Sequence, residues 1–223
     1  MLPIGSLSLS LDRVRALLAG YPRGTVAHYD LGGLDRRTRA ADDRGSLADL
    51  GRMLFLDPQL TGFDAQKLLA MQAPALWAAI AVEADLADAD PAQADGLYDA
   101  AVAVYESYTA LLEIASAKAT KLLHLKRPAL FPIVDAELRG LYDGRARECA
   151  ARPEHRARGY QRMYWGPVRE DLLAWREVGA FTELREWIAT SAEPSWAQLT
   201  DLRLLDMTIW SAAAYDKAAK AGG

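Results

Sequence analysis

The chain has 223 residues, of which 51% are hydrophobic and 25% charged, and its formal net charge is −4. This balance is typical of a globular protein with a full hydrophobic core, and no apolar run approaches the roughly 18 residues of a membrane-spanning helix. A single cysteine, Cys149, excludes an internal disulfide, and the N-terminus lacks the basic region of a signal peptide, so we expect a cytoplasmic protein without a membrane partner.

Alanine is abundant and β-branched residues are sparse, which favours helix throughout the chain. The first predicted helix covers 11–19, with Ser10 as its N-cap and Gly20 after its end. A short extended segment is predicted at 25–31. A charged surface loop is predicted at 36–45, before a helix that Ser46 and Asp49 open as a capping box with Asp in place of Glu.

The rest of the chain is also predicted to be helical. Helices are expected at 64–82 with an interruption near Pro74, 97–112, 116–125, 135–141, 167–177, 180–190 and 195–220. Residues 81–96 are acidic and poor in large apolar side chains, which indicates an exposed connection. The fold class is therefore all-α, with one compact multi-helix domain over residues 1–223.

Most cofactor-dependent chemistry lacks a motif in this sequence. There is no phosphate-binding glycine loop, dinucleotide fingerprint, nucleophile elbow or zinc-binding His-Glu-x-x-His, and three scattered histidines predict no metal site. We therefore expect neither a cofactor nor a metal. Cys149 lies in an arginine-rich stretch that would lower its pKa if the thiol were exposed, but an inert buried cysteine is the favoured interpretation.

Three charged residues fall on helix faces that are otherwise apolar. Lys118 lies within the apolar stripe of 111–126 and Lys121 at its edge, while Asp206 lies within the stripe of 202–209. Because an unpaired buried charge is costly, we predict that Asp206 forms a structural ion pair with one of these lysines or an arginine. The alternative is that the two lysines are catalytic.

Asp135 follows a turn bracketed by Pro128 and Pro132, at the start of a predicted helix. It is either an N-cap that accepts backbone N–H groups, or a catalytic carboxylate at the mouth of a cleft.

The positive charge is concentrated in one segment. Residues 118–169 contain 12 Lys and Arg against 5 Asp and Glu, a net charge of +7 in an acidic protein. Within 156–165 basic and aromatic side chains alternate, a pattern that suits phosphate contacts and base stacking. The predicted nucleic-acid or ligand contacts are Lys126, Arg127, Arg158, Tyr160, Arg162, Tyr164 and Trp165. The alternative is that the aromatic rings pack inward and the arginines face solvent.

Three segments resemble an uncharacterised family of bacterial proteins, a domain of unknown function. They are Asp30-Leu-Gly-Gly33 with Ser46-Leu-Ala-Asp-Leu50, the run Thr120-Lys-Leu-Leu-His-Leu-Lys-Arg-Pro-Ala-Leu-Phe-Pro-Ile-Val-Asp135, and Leu202-Arg-Leu-Leu-Asp-Met-Thr-Ile-Trp210. The resemblance spans nearly the whole chain and implies no activity by itself.

A more distant similarity links the order of helix, turn, two prolines and Asp135 to the helix-hairpin-helix DNA glycosylases. That resemblance implies a hairpin at 113–118 that grips phosphate, with Asp135 supporting excision of a flipped base. Glu113-Ile-Ala115 stands where the hairpin has Gly-x-Gly, and the nucleophilic lysine position falls on Ala117, beside Lys118 and a turn before Lys121. The implied enzyme would be a monofunctional N-glycosylase-like hydrolase.

Three functions remain open on this sequence. The first is a glycosylase-like protein that acts on or binds a nucleobase or nucleic acid through the basic 118–169 face, with or without base excision. The second is a nucleic-acid-binding or regulatory module without chemistry. The third is a helical fold recruited to a small-molecule, biosynthetic role, with its Lys, Asp and Tyr side chains as the pocket.

Overall fold

A computed structural model describes residues 1–32, 43–56, 59–71, 73–111, 114–159 and 163–221. The chain divides into two compact units. Unit 1 combines Met1–Tyr21 with Asp135–Gly223, and unit 2 is the intervening stretch Pro22–Val134. The N-terminal segment therefore packs with the C-terminal half of the chain rather than with the residues that follow it.

Helices dominate the described residues, together with one small β-hairpin. In chain order the elements are β1 (Leu2–Ile4), β2 (Leu7–Leu9), α1 (Leu11–Ala19), α2 (Arg23–Thr25), α3 (Leu47–Met53), α4 (Gly62–Ala70), α5 (Pro74–Trp77), α6 (Leu97–Thr109), α7 (Ser116–Lys126), α8 (Ala136–Ala151), α9 (Trp165–Glu177), α10 (Ala180–Ala189) and α11 (Asp201–Ala221). A π-helical turn, Val26–Asp30, continues α2, and short 3₁₀ turns lie at Leu86–Asp88, Pro153–Arg158 and Pro194–Gln198.

In unit 1, a buried carboxylate attaches the N-terminal hairpin to the helices. Asp171 of α9 accepts hydrogen bonds from the backbone N–H of Gly5 at 2.8 Å and from the hydroxyl of Tyr142 at 2.7 Å, and it also pairs with Arg145. Burial, together with the neighbouring Asp171 carboxylate, raises the pKa of Tyr142 well above its usual range, so the phenol stays a donor. The indole N–H of Trp175 adds a bond to the Pro3 carbonyl. The bonds from Gly5, Tyr142 and Arg145 compensate the desolvation of Asp171.

In unit 2, α7 is the most buried helix and packs against α3 and α6. Its apolar side chains Leu122, Leu123 and Leu125 lie in the core of the unit. Two helices of unit 2 begin with capping boxes, in which Ser46 pairs with Asp49 at the start of α3 and Thr61 with Asp64 at the start of α4. The box at Ser46 confirms the sequence prediction, including its unusual Asp.

The predicted fold class is confirmed, because the described chain is mostly helical and its two strands form a single antiparallel pair. Ser10 caps α1 as predicted, by accepting the N–H of Arg13. Helix α8 is longer than predicted and ends at Ala151. Its two interior glycines, Gly140 and Gly144, lie on the exposed side, where they cost some stability without ending the helix.

The extended segment predicted at 25–31 is wrong, since Arg23–Asp30 is helical. Tertiary packing explains the difference. Arg52 of α3 donates to the carbonyls of Tyr29 and Asp30 at 2.7 and 3.2 Å, and the Tyr29 ring is buried. These contacts satisfy carbonyls at the end of the π-helical turn, where an intrahelical partner is lacking.

The acidic segment 81–96 is not exposed along its whole length. Asp88 and Asp95 face solvent, but Leu86 and Ala89 are buried, and the backbone N–H of Leu86 donates to the Ala129 carbonyl at 2.9 Å. The surface loop predicted at 36–45 lies mostly outside the described residues, which resume at Asp43.

Alanine substitutions at two glycines of unit 1 are predicted to change the free energy of unfolding in opposite directions. Gly5 has φ +56°, and a Cβ there would lie 2.5 Å from the Leu141 carbonyl oxygen. Gly5→Ala should therefore destabilise the protein by about 1–3 kcal/mol. Gly144→Ala in the same unit meets no atom within 4 Å and should stabilise it by about 0.5–1 kcal/mol. Urea unfolding of both variants measures the difference, and equal effects would contradict the assignment of strain to Gly5.

Candidate functional site

The polar side chains of α7 that the sequence analysis singled out have partners within unit 2. The Lys118 ammonium lies 2.7 Å from the Asp64 carboxylate, with 20% of the lysine side chain exposed. Asp64 also accepts the backbone N–H and the hydroxyl of Thr61. Burial raises the pKa of the Asp64 carboxyl, but the bonds from Lys118 and Thr61 outweigh it and lower the pKa to about 2. The pair is therefore an ion pair at neutral pH.

Lys121 lies one turn further along α7 and is nearly buried. Its ammonium donates to the Leu56 carbonyl at 3.1 Å, just after α3. Its own backbone carbonyl accepts the hydroxyl of Tyr29 at 2.7 Å. The turn Lys118–Lys121 thus bonds three separate segments of unit 2, at Tyr29, Leu56 and Asp64.

Lys126 is not part of an exposed basic face. Its ammonium lies 2.6 Å from the Asp49 carboxylate, and the two side chains are 2% and 1% exposed. Asp49 serves at the same time as the acidic residue of the Ser46 capping box. The charge of Lys126 is therefore compensated inside unit 2 by a buried ion pair, and its role as a ligand contact stays a prediction.

Arg127 is likewise buried, and its planar guanidinium links separate segments of unit 2. It donates to the carbonyls of Ala81 and Ile80, bonds the Asp43 carboxylate at 2.8 Å and lies over the Trp77 ring at 4.8 Å. These N–H donors of the guanidinium are therefore directed to protein acceptors, and the role of Arg127 as a ligand contact stays a prediction.

The candidates in unit 1 also have local roles. Asp135 caps α8 by accepting the N–H of Leu138 at 3.0 Å, as the N-cap interpretation predicts. Tyr164 donates to Asp143 at 2.7 Å, and Trp165 and Arg158 are buried. The inward-packing alternative is therefore correct for these two rings. Tyr160 and Arg162 lie outside the described residues.

Two further sequence predictions concern single residues. Asp206 is buried in α11, as its apolar stripe indicates. The carboxylate that binds Lys118 is Asp64 rather than Asp206, and the ion pair of Asp206 stays a prediction. Cys149 is buried, and burial raises the pKa of its thiol to about 11. The thiol is therefore the inert group that the favoured interpretation predicted.

Unit 2 presents a group of exposed rings that the sequence analysis missed. Phe55 and Phe63 are 48% and 54% exposed. The His28 ring stacks on Phe55 with centroids 4.4 Å apart and planes 17° apart, and the Lys67 ammonium lies 3.9 Å from the Phe63 centroid. We call His28, Phe55, Phe63 and Lys67 the aromatic surface. The sequence contained a signal for the exposure of Phe63. On a helical wheel of α4, Phe63 lies away from the buried face that contains Asp64 and Leu68.

Each ring of the aromatic surface directly precedes a residue that is bonded to the turn Lys118–Lys121. His28 precedes Tyr29, Phe55 precedes Leu56, and Phe63 precedes Asp64. The three rings are therefore attached through their neighbours to a single helical turn. Rigid, exposed rings beside a cation can stack on a flat π-system, and this is the chemistry that the arrangement supports best.

The comparisons with known proteins identify the family. The model of a family of unknown function, DUF6308, matches residues 11–213, which include most of both units. The chain belongs to this family. No curated protein and no solved structure matches the chain. Membership in DUF6308 confirms the resemblance to an uncharacterised domain, while the glycosylase similarity stays a prediction.

Two features are absent from the part of the DUF6308 chain that the structure describes. No group of three or more His, Cys, Asp or Glu side chains is arranged to hold a metal ion there. No helix in that part is long and apolar enough to cross a membrane.

The burial of Lys126 leads to a stability prediction. Lys126→Met removes the closer of two cations from the buried Asp49 carboxylate and leaves Arg52, at 3.9 Å, so it should lower the free energy of unfolding by about 3 kcal/mol. Lys217→Met is the matched control, because Lys217 also pairs with a carboxylate, Glu137, but is 62% exposed and should change little. Urea unfolding at neutral pH measures both. Equal small changes would show that Lys126 does not compensate a buried charge.

The lowered pKa of Asp64 predicts a pH dependence. The folded-state pKa of about 2 is below the ordinary value of 3.8, so the ion pair stabilises the fold above pH 4 and loses this contribution as the pH falls toward 2. The stability difference between the wild type and Asp64→Asn should therefore be constant from pH 7 to 5 and shrink between pH 4 and 2. A difference that grows on acidification would contradict this sign.

Proposed function

We propose that this protein binds a nucleobase-containing ligand by stacking a base on the aromatic surface of unit 2. The proposal keeps the ligand class that the sequence suggested and moves the contact from the basic 118–169 face to His28, Phe55, Phe63 and Lys67. Single-stranded nucleic acid is the form of ligand favoured, because its unpaired bases expose their faces.

The observation that carries the proposal is the exposure of two phenylalanine rings in one bonded framework. Phe55 and Phe63 each leave about half of their surface in water. Single exposed apolar side chains are common and need no explanation, but rings attached to one helical turn form a group. Stacking a base on a ring of this kind contributes about 1–3 kcal/mol per base and tolerates any base.

The charges near the rings support an anionic, aromatic ligand. The Lys67 ammonium lies over Phe63, and the imidazole of His28 stacks on Phe55. In each pair, a lysine or histidine side chain lies against the π-face of a phenylalanine. A nucleotide presents a base and a phosphate together, so it matches both features.

The ion pair of Lys118, which was one of the catalytic candidates, favours binding without base excision at this surface, and Lys126 and Arg127 are likewise compensated. Both cations are held by protein carboxylates and carbonyls, and Lys118 is neutralised by Asp64. Excision supported by Asp135 is the separate hypothesis that the glycosylase resemblance implies. It predicts release of a free base that is lost in Asp135→Asn while the fold is retained.

Substitution of Phe63 tests the proposed binding. Phe63→Ala and Phe63→Leu should each weaken binding of a labelled single-stranded oligonucleotide about 5- to 150-fold, because leucine keeps the apolar surface but lacks the π-face. Val178→Ala is the control, since Val178 is an exposed apolar side chain of unit 1. Fluorescence anisotropy measures the dissociation constants, and nucleoside monophosphates serve as competitors.

The outcomes separate the proposed ligand from its alternatives. Full affinity in Phe63→Leu would exclude stacking as the mode of binding. Competition by a nucleoside monophosphate at equal concentration would indicate a small-molecule site rather than a strand. A wild-type protein that binds neither probe would overturn the proposal.

A further inference from the structure

Two lysines that the sequence analysis treated as catalytic candidates are attached to the segments that carry the exposed rings. The Lys118 ammonium binds Asp64, the residue after Phe63. The Lys121 ammonium binds the carbonyl of Leu56, the residue after Phe55. One turn of α7 therefore bonds the residue that follows each phenylalanine.

We infer that Lys118 and Lys121 are positioning residues, which hold the rings of Phe63 and Phe55 in the orientation that binds a ligand. This inference rests on the proposed function for its role in binding, but the positioning itself is a property of the free protein. Neither lysine is a ligand contact in this assignment.

The charges explain why positioning is favoured over direct phosphate contact. The Lys118 ammonium is 2.7 Å from a carboxylate whose side chain is 6% exposed, so the pair presents almost no net charge to a phosphate. The ammonium of Lys121 is directed to a backbone carbonyl, and the residue is buried. A strong phosphate contact needs an exposed, uncompensated cation.

The rigidity of α7 makes this turn a suitable frame. The Tyr29 hydroxyl donates to the Lys121 carbonyl, and the Thr120 hydroxyl accepts the backbone N–H of Val134 at 3.1 Å. Leu122 and Leu123, which follow this turn in α7, are fully buried in the core of unit 2. A ring whose neighbour is bonded to this frame loses little conformational freedom when a ligand binds, which favours affinity.

The first experiment measures ring position without any ligand. Fluorine-labelled phenylalanine is incorporated, and the resonances of Phe55 and Phe63 are assigned by substitution. Lys118→Met should shift or broaden the Phe63 resonance, and Lys121→Met the Phe55 resonance, while Lys217→Met on the exposed side of α11 should move neither. Unchanged resonances in folded Lys118→Met and Lys121→Met would overturn the inference, whatever the protein binds.

The second experiment separates positioning from phosphate contact by its dependence on salt. In oligonucleotide titrations, Lys118→Met should weaken binding about five-fold, the size of one hydrogen bond, with the slope of log Kd against log salt unchanged. Loss of a direct phosphate contact in a single strand would reduce that slope by about 0.7 and would overturn the inference. Lys118→Arg, which keeps the ion pair, should restore most of the affinity.

Two controls keep the result interpretable. If Lys118→Met does not fold, Asp64→Asn weakens the same ion pair from its other partner and should move the same Phe63 resonance. A wild-type protein that binds neither an oligonucleotide nor a nucleoside monophosphate, with ring resonances that still respond to the lysine variants, would overturn the proposed function and leave the positioning intact.

Discussion

The bonds that leave the helical turn Lys118–Lys121 are the constraint on which unit 2 depends. From this turn one ammonium binds Asp64, the other binds the Leu56 carbonyl, and a backbone carbonyl accepts the Tyr29 hydroxyl. These contacts join segments that are distant in sequence, and each would be costly to leave unmade in a buried site. The rings of His28, Phe55 and Phe63 each directly precede one of the bonded residues.

The basic segment of the chain shows that charge in a sequence is not the same as charge on a surface. Lys126 and Arg127 belong to its most recognisable run, yet Asp49 and Asp43 compensate them. A buried ion pair of this kind contributes little net stability compared with an apolar substitute, but it is sensitive to the loss of either partner. Its role in unit 2 is to fix which segments meet.

Unit 1 uses the same principle with the signs reversed. There the central group is a carboxylate, Asp171, which collects a backbone N–H, a phenol and a guanidinium from the hairpin and α8. Both units therefore place a charged group inside a helical core and satisfy it with partners from distant segments. In neither unit does a sequence motif of known chemistry accompany the buried charge.

The sequence by itself determined the helical class, the capping residues Ser10 and Ser46 and the inert Cys149, because these depend on local hydrogen bonding and on burial within one element. Only the tertiary structure decided which carboxylates bind Lys118 and Lys126, that Arg23–Asp30 is helical, and that Phe55 and Phe63 remain in water. The physical reason is the separation in sequence between the residues that interact. A cap is set by residues three positions apart, whereas ion pairs and exposed rings depend on segments that meet only after the chain has folded.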